Sequence, residues 1–136
     1  GAGRIILSGW SAGAQLTAMG LSHPAVSAAV AMSGVYELGP IRDTGLNDKL
    51  KLSDEEIETL SPLRLPVVMK PMAITYGSRE LPALIRDARK LHARRAQAHA
   101  AGALIPIPGE DHFSVLREME RGDGQLVKAI LALADA

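Results

Sequence analysis

The sequence contains no cysteine, and this absence excludes disulfide bonds, thiolate catalysis and cysteine-bound zinc. It also lacks a net charge, because its 15 basic and 15 acidic side chains cancel. The chain therefore shows no basic surface of the kind that binds nucleic acid or an anionic membrane. No apolar run approaches the ~20 residues of a membrane-spanning helix.

The remaining composition is that of a globular protein. The chain has 136 residues, of which 47% are hydrophobic and 22% charged, and this length allows one domain with a real core. It starts with Gly1 and enters an apolar segment three residues later, with no visible signal peptide. We therefore expect a cytoplasmic protein and a chain that is the downstream part of something longer.

A strand, a tight turn and a helix are predicted at the start of the chain. Residues 4–8 form an apolar run, and small residues at 12–21 favour a helix. Between them lies Gly9-Trp10-Ser11-Ala12-Gly13, a Gly-x-Ser-x-Gly pattern typical of a turn that exposes a nucleophilic serine. We expect a side chain at Gly9 or Gly13 to collide with its surroundings and Ser11 to have a strained backbone. Because the motif can arise by chance, the assignment of Ser11 as a nucleophile depends on whether the downstream residues supply a base and an acid.

Apolar strands alternate with helices along the rest of the chain. Strands are predicted at 28–32, 71–77 and 104–108, and this alternation indicates a parallel sheet with right-handed crossovers. A long helix is predicted from near Pro82 to about Ala101, ended by Gly102. Its basic residues are interpreted as a solvated face: Arg86, Arg89, Lys90, Arg94 and Arg95. Two amphipathic segments, about 114–120 and 124–135, close the chain.

Residues 35–66 interrupt this alternation with a polar, turn-rich insert. One helix is predicted inside it, because Ser53 and Glu56 have the spacing of a capping box. Such an insert is either a lid over a pocket or a surface excursion. Its place after the carboxyl end of a strand favours a lid.

A serine nucleophile needs an imidazole to take its proton and a carboxylate to orient that imidazole. Of the four histidines, only His112 lies in a loop directly after a strand. Glu80 follows the third strand by three residues, whereas Asp111 is adjacent to His112 and is poorly placed to orient it. We predict Ser11 as nucleophile, Glu80 as acid and His112 as base. Their order along the chain is that of α/β-hydrolases.

Several segments resemble the arylformamidase (kynurenine formamidase) group and its esterase relatives within the α/β-hydrolase superfamily. They are GWSAGA (9–14), SGVYEL (33–38), LND (46–48), LSP (60–62) and GEDHFS (109–114). The resemblance spans essentially the whole chain. It implies the same roles for Ser11, Glu80 and His112, although this group often has aspartate at the acid position. It also implies a partial α/β-hydrolase fold: residues 1–136 would be the C-terminal portion of one domain, with about four parallel strands and a lid-like insert at about 35–66.

The resemblance further implies an oxyanion hole with two donors. The backbone N–H of Ala12 would be one, but the family's His-Gly-Gly loop, which supplies the other, does not occur in this sequence. Losing one donor costs about 10²–10³-fold in rate, so we expect these 136 residues alone to be inactive. We expect the site to be completed by a missing N-terminal half or, alternatively, the protein to be a homo-oligomer.

The expected function is therefore that of a serine hydrolase acting on a small ester or N-formyl amide, with no metal or organic cofactor and no nucleic-acid or membrane partner. Two readings stay open beside it. One is a non-catalytic α/β-hydrolase-fold module used for binding. The other is an inactive fragment that lacks the upstream oxyanion loop.

Overall fold

A sheet of four parallel strands lies at the centre of residues 3–136, the part of the chain that the computed structural model describes. The strands are β1 (Ile5–Trp10), β2 (Val26–Met32), β3 (Met72–Gly77) and β4 (Leu104–Ile107). Their order in the sheet is their order in the chain. The α-helices are α1 (Ala12–Gly20), α2 (Asn47–Leu50), α3 (Asp54–Leu60), α4 (Pro82–Gln97) and α5 (Gln125–Asp135), with 3-10 helices at Gly39–Asp43, Pro62–Arg64 and Ser114–Met119. The predicted parallel sheet is confirmed.

Alternate residues of the strands face two separate cores. On one face, Ala29, Ala31 and Ile74 pack with buried residues of α1 and α4. On the other face, Val30 and Met32 pack with Leu126 of α5. Because helices cover both faces, the strands read as continuous apolar runs rather than alternating ones. Because the four strands are parallel, their carboxyl ends all lie at the same edge of the sheet, where sites form in folds of this class.

Helix α4 ends at Gln97, four residues before the predicted end at Ala101. The chain turns there because His99 adopts a positive φ of 62° and its N–H bonds back to Ala96. The interpretation of Arg95 as a solvated residue was wrong, since only 4% of it is exposed. Its guanidinium donates to the carbonyl oxygens of Val68, Lys70 and Ala101, and burial lowers its pKa. Arg95 thus fastens the segments before β3 and β4 to the helix.

The insert at 35–66 is folded against the rest of the chain. Its predicted capping box is present: Ser53 Oγ accepts from Glu56 N at 3.1 Å, and Glu56 Oε2 accepts from Ser53 N at 2.9 Å. The Gln15 amide of α1 donates to the carbonyl of Leu60 at 2.8 Å. The insert therefore reaches α1 one turn after Ser11. Its action as a lid stays a prediction.

Glu37 and Arg64 join the two ends of the insert. Arg64 Nε lies 3.0 Å from both carboxylate oxygens of Glu37, and Gly39 N–H donates to the same carboxylate at 2.9 Å. Burial alone would raise the pKa of Glu37, but these hydrogen bonds outweigh it and hold the pKa below its usual range. A carboxylate whose pKa is lowered in the folded state stabilises the fold above its unfolded pKa.

We therefore expect Glu37→Gln to lower the thermal midpoint at pH 7. The difference from wild type should shrink as the pH falls below about 4, the usual range of a glutamate, because the wild-type carboxylate is then protonated too. Thermal unfolding at several pH values measures this. The exposed Glu55→Gln in the same insert is the matched control and should show no such pH-dependent gap; a gap that persists unchanged into acid would contradict the ion-pair explanation.

Candidate active site

Ser11 occupies the turn between β1 and α1. Its backbone has φ 59° and ψ −118°, a region that side-chain-bearing residues rarely adopt and that costs about 1–3 kcal/mol. Its N–H donates to Met32 O at 2.9 Å, which ties the turn to the end of β2. The expected strain at the serine is therefore confirmed.

The two glycines of the turn differ in what they require. A Cβ at Gly9 would lie 2.2 Å from the carbonyl oxygen of Gly13 and 2.6 Å from Thr17 Oγ1, so the predicted collision is correct there. The same prediction for Gly13 was wrong, since a Cβ there meets no heavy atom within 4 Å. A side chain at Gly9 would thus collide with the backbone of Gly13, whereas a side chain at Gly13 would point away from Gly9 into open space.

This asymmetry predicts opposite outcomes for two similar variants. Gly9→Ala should lower the free energy of unfolding by about 3 kcal/mol or more, because its contact is with backbone that cannot rotate away. Gly13→Ala should leave it unchanged or raise it by about 0.5–1 kcal/mol, since alanine is the better helix former. Chemical denaturation of both variants measures the difference. Equal losses would contradict the one-sided packing.

Glu80 and His112 lie at the ends of the next strands. Glu80 follows β3 by three residues, and its side chain is 0% exposed. His112 lies in the loop after β4, with 23% of its side chain exposed. This loop passes directly over the end of β3, where a Cβ at Gly77 would lie 2.2 Å from the carbonyl oxygen of Glu110. The absence of a side chain at Gly77 thus allows the loop to approach Glu80.

The structure brings the three predicted residues together. His112 Nδ1 lies 2.6 Å from Glu80 Oε1, and His112 Nε2 lies 3.0 Å from Ser11 Oγ. With the imidazole proton on Nδ1, the ring donates to the carboxylate and Nε2 is free to accept from the serine hydroxyl. Both distances are within hydrogen-bonding range. This geometry permits the serine proton to move to the imidazole.

The second oxygen of Glu80 is also fully engaged. Oε2 accepts from Ser33 Oγ at 2.7 Å and from Gly77 N at 2.7 Å. Buried polar oxygens are costly unless they are hydrogen-bonded, and both oxygens of Glu80 have partners. Ser33 is 1% exposed and, like Ser11, has a positive φ, here 52°. In the sequence Ser33 stands out only as part of the SGVYEL segment, and its contact with Glu80 was missed. The sequence did contain a signal for it: Ser33 directly follows β2, and β2 is the neighbour of β3, the strand that precedes Glu80.

Asp111, the rejected alternative acid, is used inside its own loop. Its Oδ1 accepts from the N–H groups of Phe113 at 2.9 Å and Ser114 at 2.8 Å. These bonds lower the pKa of Asp111. Asp111 therefore shapes the turn after His112, and the carboxylate that contacts the imidazole is that of Glu80.

Ala12 is the first residue of α1 and directly follows Ser11. The first N–H groups of a helix have no acceptor within it, and they favour negative charge. The structure therefore leaves the Ala12 N–H suitable for the predicted role at an oxyanion, which stays a prediction. Within residues 3–136, no group of three His, Asp or Glu side chains has the arrangement of a metal site.

Comparison with known proteins adds an independent observation. No protein-family model matches the chain. The chain is 27% identical over 144 residues to kynurenine formamidase of Salmo salar, covering 95% of this chain and 49% of that protein. A crystal structure of a proposed thioesterase from Silicibacter sp. TM1040 superposes with a TM-score of 0.79 at 26% identity, covering 96% of this chain and 51% of that one. The chain has the α/β-hydrolase fold.

Within the α/β-hydrolases, this chain resembles the formamidase and esterase group. Thermogutta terrifontis esterase 2, solved after phosphoramylation by tabun, shares the fold with a TM-score of 0.67 at 24% identity over 96% of this chain and 52% of its own. The chain spans about half the length of the curated relatives it matches. None of the helices between residues 3 and 136 is long and apolar enough to cross a membrane.

Proposed function

We propose that the intact protein is a serine hydrolase that cleaves a carboxylic ester or an N-formyl amide. The observation that carries this proposal is the hydrogen-bonded series from Ser11 Oγ through His112 to the buried Glu80. A serine hydroxyl is a weak nucleophile on its own, and an adjacent oriented imidazole is what activates it. The series of Ser11, His112 and Glu80 lies at the carboxyl ends of the strands, where α/β folds bind ligands.

The proposed reaction has two halves. Ser11 Oγ attacks the carbonyl carbon while His112 Nε2 takes the hydroxyl proton, and the tetrahedral intermediate expels the alcohol or amine, which His112 protonates. Water then attacks the acyl-enzyme while His112 accepts one of its protons, and the bond between the acyl carbon and Ser11 Oγ breaks. His112 returns that proton to Ser11 Oγ, and the carboxylic acid leaves with the free enzyme regenerated. Glu80 holds the Nδ1–H and stabilises the imidazolium formed in each half.

The carbonyl oxygen becomes negative in both intermediates. Ala12 N–H is the proposed first donor to this oxyanion. The second donor is proposed to come from a part of the intact protein that these residues do not include, because the chain spans about half of its curated relatives. The insert at 35–66 is proposed to cover the bound substrate.

A reactive phosphonate tests the nucleophile. A fluorophosphonate probe should label the intact protein at Ser11, and peptide mapping by mass spectrometry should place the adduct there. Ser11→Ala should abolish the labelling, whereas Ser22→Ala, at an exposed serine beyond the end of α1, should leave it unchanged. If a folded wild-type protein takes up no probe, the serine-hydrolase proposal is wrong and a binding module becomes the better reading.

The substrate class is tested separately. The similarity to proteins named kynurenine formamidase supports a formamide, whereas the esterase structures support an ester. We propose the formamide as the better substrate because the two kynurenine formamidases are 27% and 26% identical to this chain, against 24% for the esterase. Turnover of N-formylkynurenine and of p-nitrophenyl acetate by one preparation compares the two, and a higher kcat/KM for the ester would reverse the assignment.

A further inference from the structure

Trp10 is the residue directly before Ser11, and its side chain contacts the loop that carries His112. The indole N–H donates a 2.7 Å hydrogen bond to the backbone carbonyl of His112, across 102 residues of sequence. The rings of Trp10 and His112 also touch, with centroids 4.9 Å apart and planes tilted by 35°. One side chain thus connects the turn of the nucleophile to the loop of the base.

The position of Trp10 is set by the sheet. Its side chain is partly buried and packs on the core that includes Met32 and Ile107, the last residues of β2 and β4. Phe113 covers the pair from outside, with its ring 5.6 Å from Trp10 and 5.3 Å from His112. Trp10 is therefore an anchored group, so it can hold a neighbouring loop in place.

The loop has other hydrogen bonds that shape it without setting the distance to Ser11. Asp111 bonds to the N–H groups of the two residues after His112, which are within the same turn. Arg79 N–H donates to Glu110 O at 2.9 Å, which fixes the loop over the end of β3. Glu80 holds the imidazole ring itself, and the bond from Trp10 ties the backbone of His112 to the residue next to Ser11.

We propose that Trp10 is a positioning residue that keeps His112 Nε2 within reach of Ser11 Oγ. The inference rests on the proposed function where it concerns rate, but the contact itself can be measured without turnover. A base misplaced by about 1 Å can lose about 10²-fold in rate. The same ring contact favours the imidazolium that forms when His112 takes the serine proton, because aromatic rings within about 6 Å attract cations.

Trp10→Phe is the informative variant, because it keeps an aromatic ring and removes the N–H donor. We expect kcat of the intact protein to fall about 10–100-fold, with KM changed less than about twofold, since Trp10 acts through His112 rather than on the ground-state substrate. Leu126→Val is the stability control: Leu126 lies on α5 and is fully buried in the core on which Trp10 packs. It should lower the thermal midpoint and leave kcat unchanged.

Nuclear magnetic resonance reports the contact independently of activity. Trp10 is the only tryptophan in these 136 residues, so the indole N–H signal that disappears in Trp10→Phe belongs to it. The 2.7 Å hydrogen bond to the carbonyl of His112 should make this proton exchange slowly with solvent.

The outcomes separate the two proposals. A Trp10→Phe variant with wild-type kcat, or an indole N–H of Trp10 that exchanges as fast as that of an exposed tryptophan, overturns the role of Trp10. A folded protein without measurable hydrolysis overturns the proposed function instead. In that case the exchange rate alone decides: slow exchange supports the positioning contact, and fast exchange contradicts it.

Discussion

Replacing Ser11 with alanine is expected to lower kcat of the intact protein by roughly 10⁴–10⁶-fold, the range found when a triad nucleophile is removed. The loss is large because the hydroxyl 3.0 Å from His112 Nε2 is the atom that would form the acyl-enzyme. KM should change little, since a serine hydroxyl contributes mainly in the transition state. Steady-state hydrolysis of the preferred substrate gives both constants.

The backbone of this variant should remain folded. Alanine tolerates the strained φ of 59° no worse than serine does, because both carry a Cβ. Thermal midpoints within a few degrees of wild type would show that the rate loss is chemical. Activity reduced by less than about tenfold would place the nucleophile elsewhere, since removing one costs far more than that.

Glu80→Gln is expected to lower kcat by about 10⁴-fold, the effect known for replacing a triad carboxylate by an amide. The carboxylate accepts from three donors, namely His112 Nδ1, Ser33 Oγ and Gly77 N. A glutamine has one accepting oxygen, so its NH₂ group would face at least one of these donors. The imidazole would then lose the partner that keeps its proton on Nδ1.

Two further variants make this test specific. Glu80→Asp keeps the charge but shortens the side chain, so its activity should lie between those of wild type and Glu80→Gln. Glu120→Gln changes an exposed carboxylate and should leave kcat unchanged. Measuring kcat and the thermal midpoint for all three separates lost chemistry from lost stability. Equal activity of Glu80→Asp and Glu80→Gln would show that charge is not what His112 requires.

The positions of Ser11, Glu80 and His112 could be predicted because each residue follows a strand of a parallel sheet. Strands covered by helices on both faces are apolar along their whole length and can be found from sequence, and their carboxyl ends share one edge. Placing the strands therefore put Ser11, Glu80 and His112 at the same edge of the sheet. The 2.6 Å contact of His112 with Glu80 and its 3.0 Å contact with Ser11 could not be predicted in this way, because they depend on how the loops fold.

What could not be predicted depends on packing between segments distant in sequence. Arg95 looked like part of a charged helix face, but the loops before β3 and β4 bury it by offering three carbonyl oxygens. The open space at Gly13 depends on the direction in which a Cα–Cβ bond would leave the backbone at this residue. Ser33 could be assigned to the end of a strand, whereas its bond to Glu80 spans 47 residues. Periodicity describes one element at a time and contains no such information.

The sequential order of the strands in the sheet bears on how this region folds. Because β1, β2, β3 and β4 are neighbours in both chain and sheet, each pairing closes a loop no longer than the one connection between two strands, which keeps the entropy of loop closure moderate. The contact between Ser11 and His112 spans 101 residues and joins the first strand to the loop after the last. The sheet can therefore grow by successive local steps, while the hydrogen bond between Ser11 and His112 forms only after β4 has been added. The proposed reactivity would in this sense arise late in folding, because an incompletely folded chain would hold Ser11 without His112 beside it.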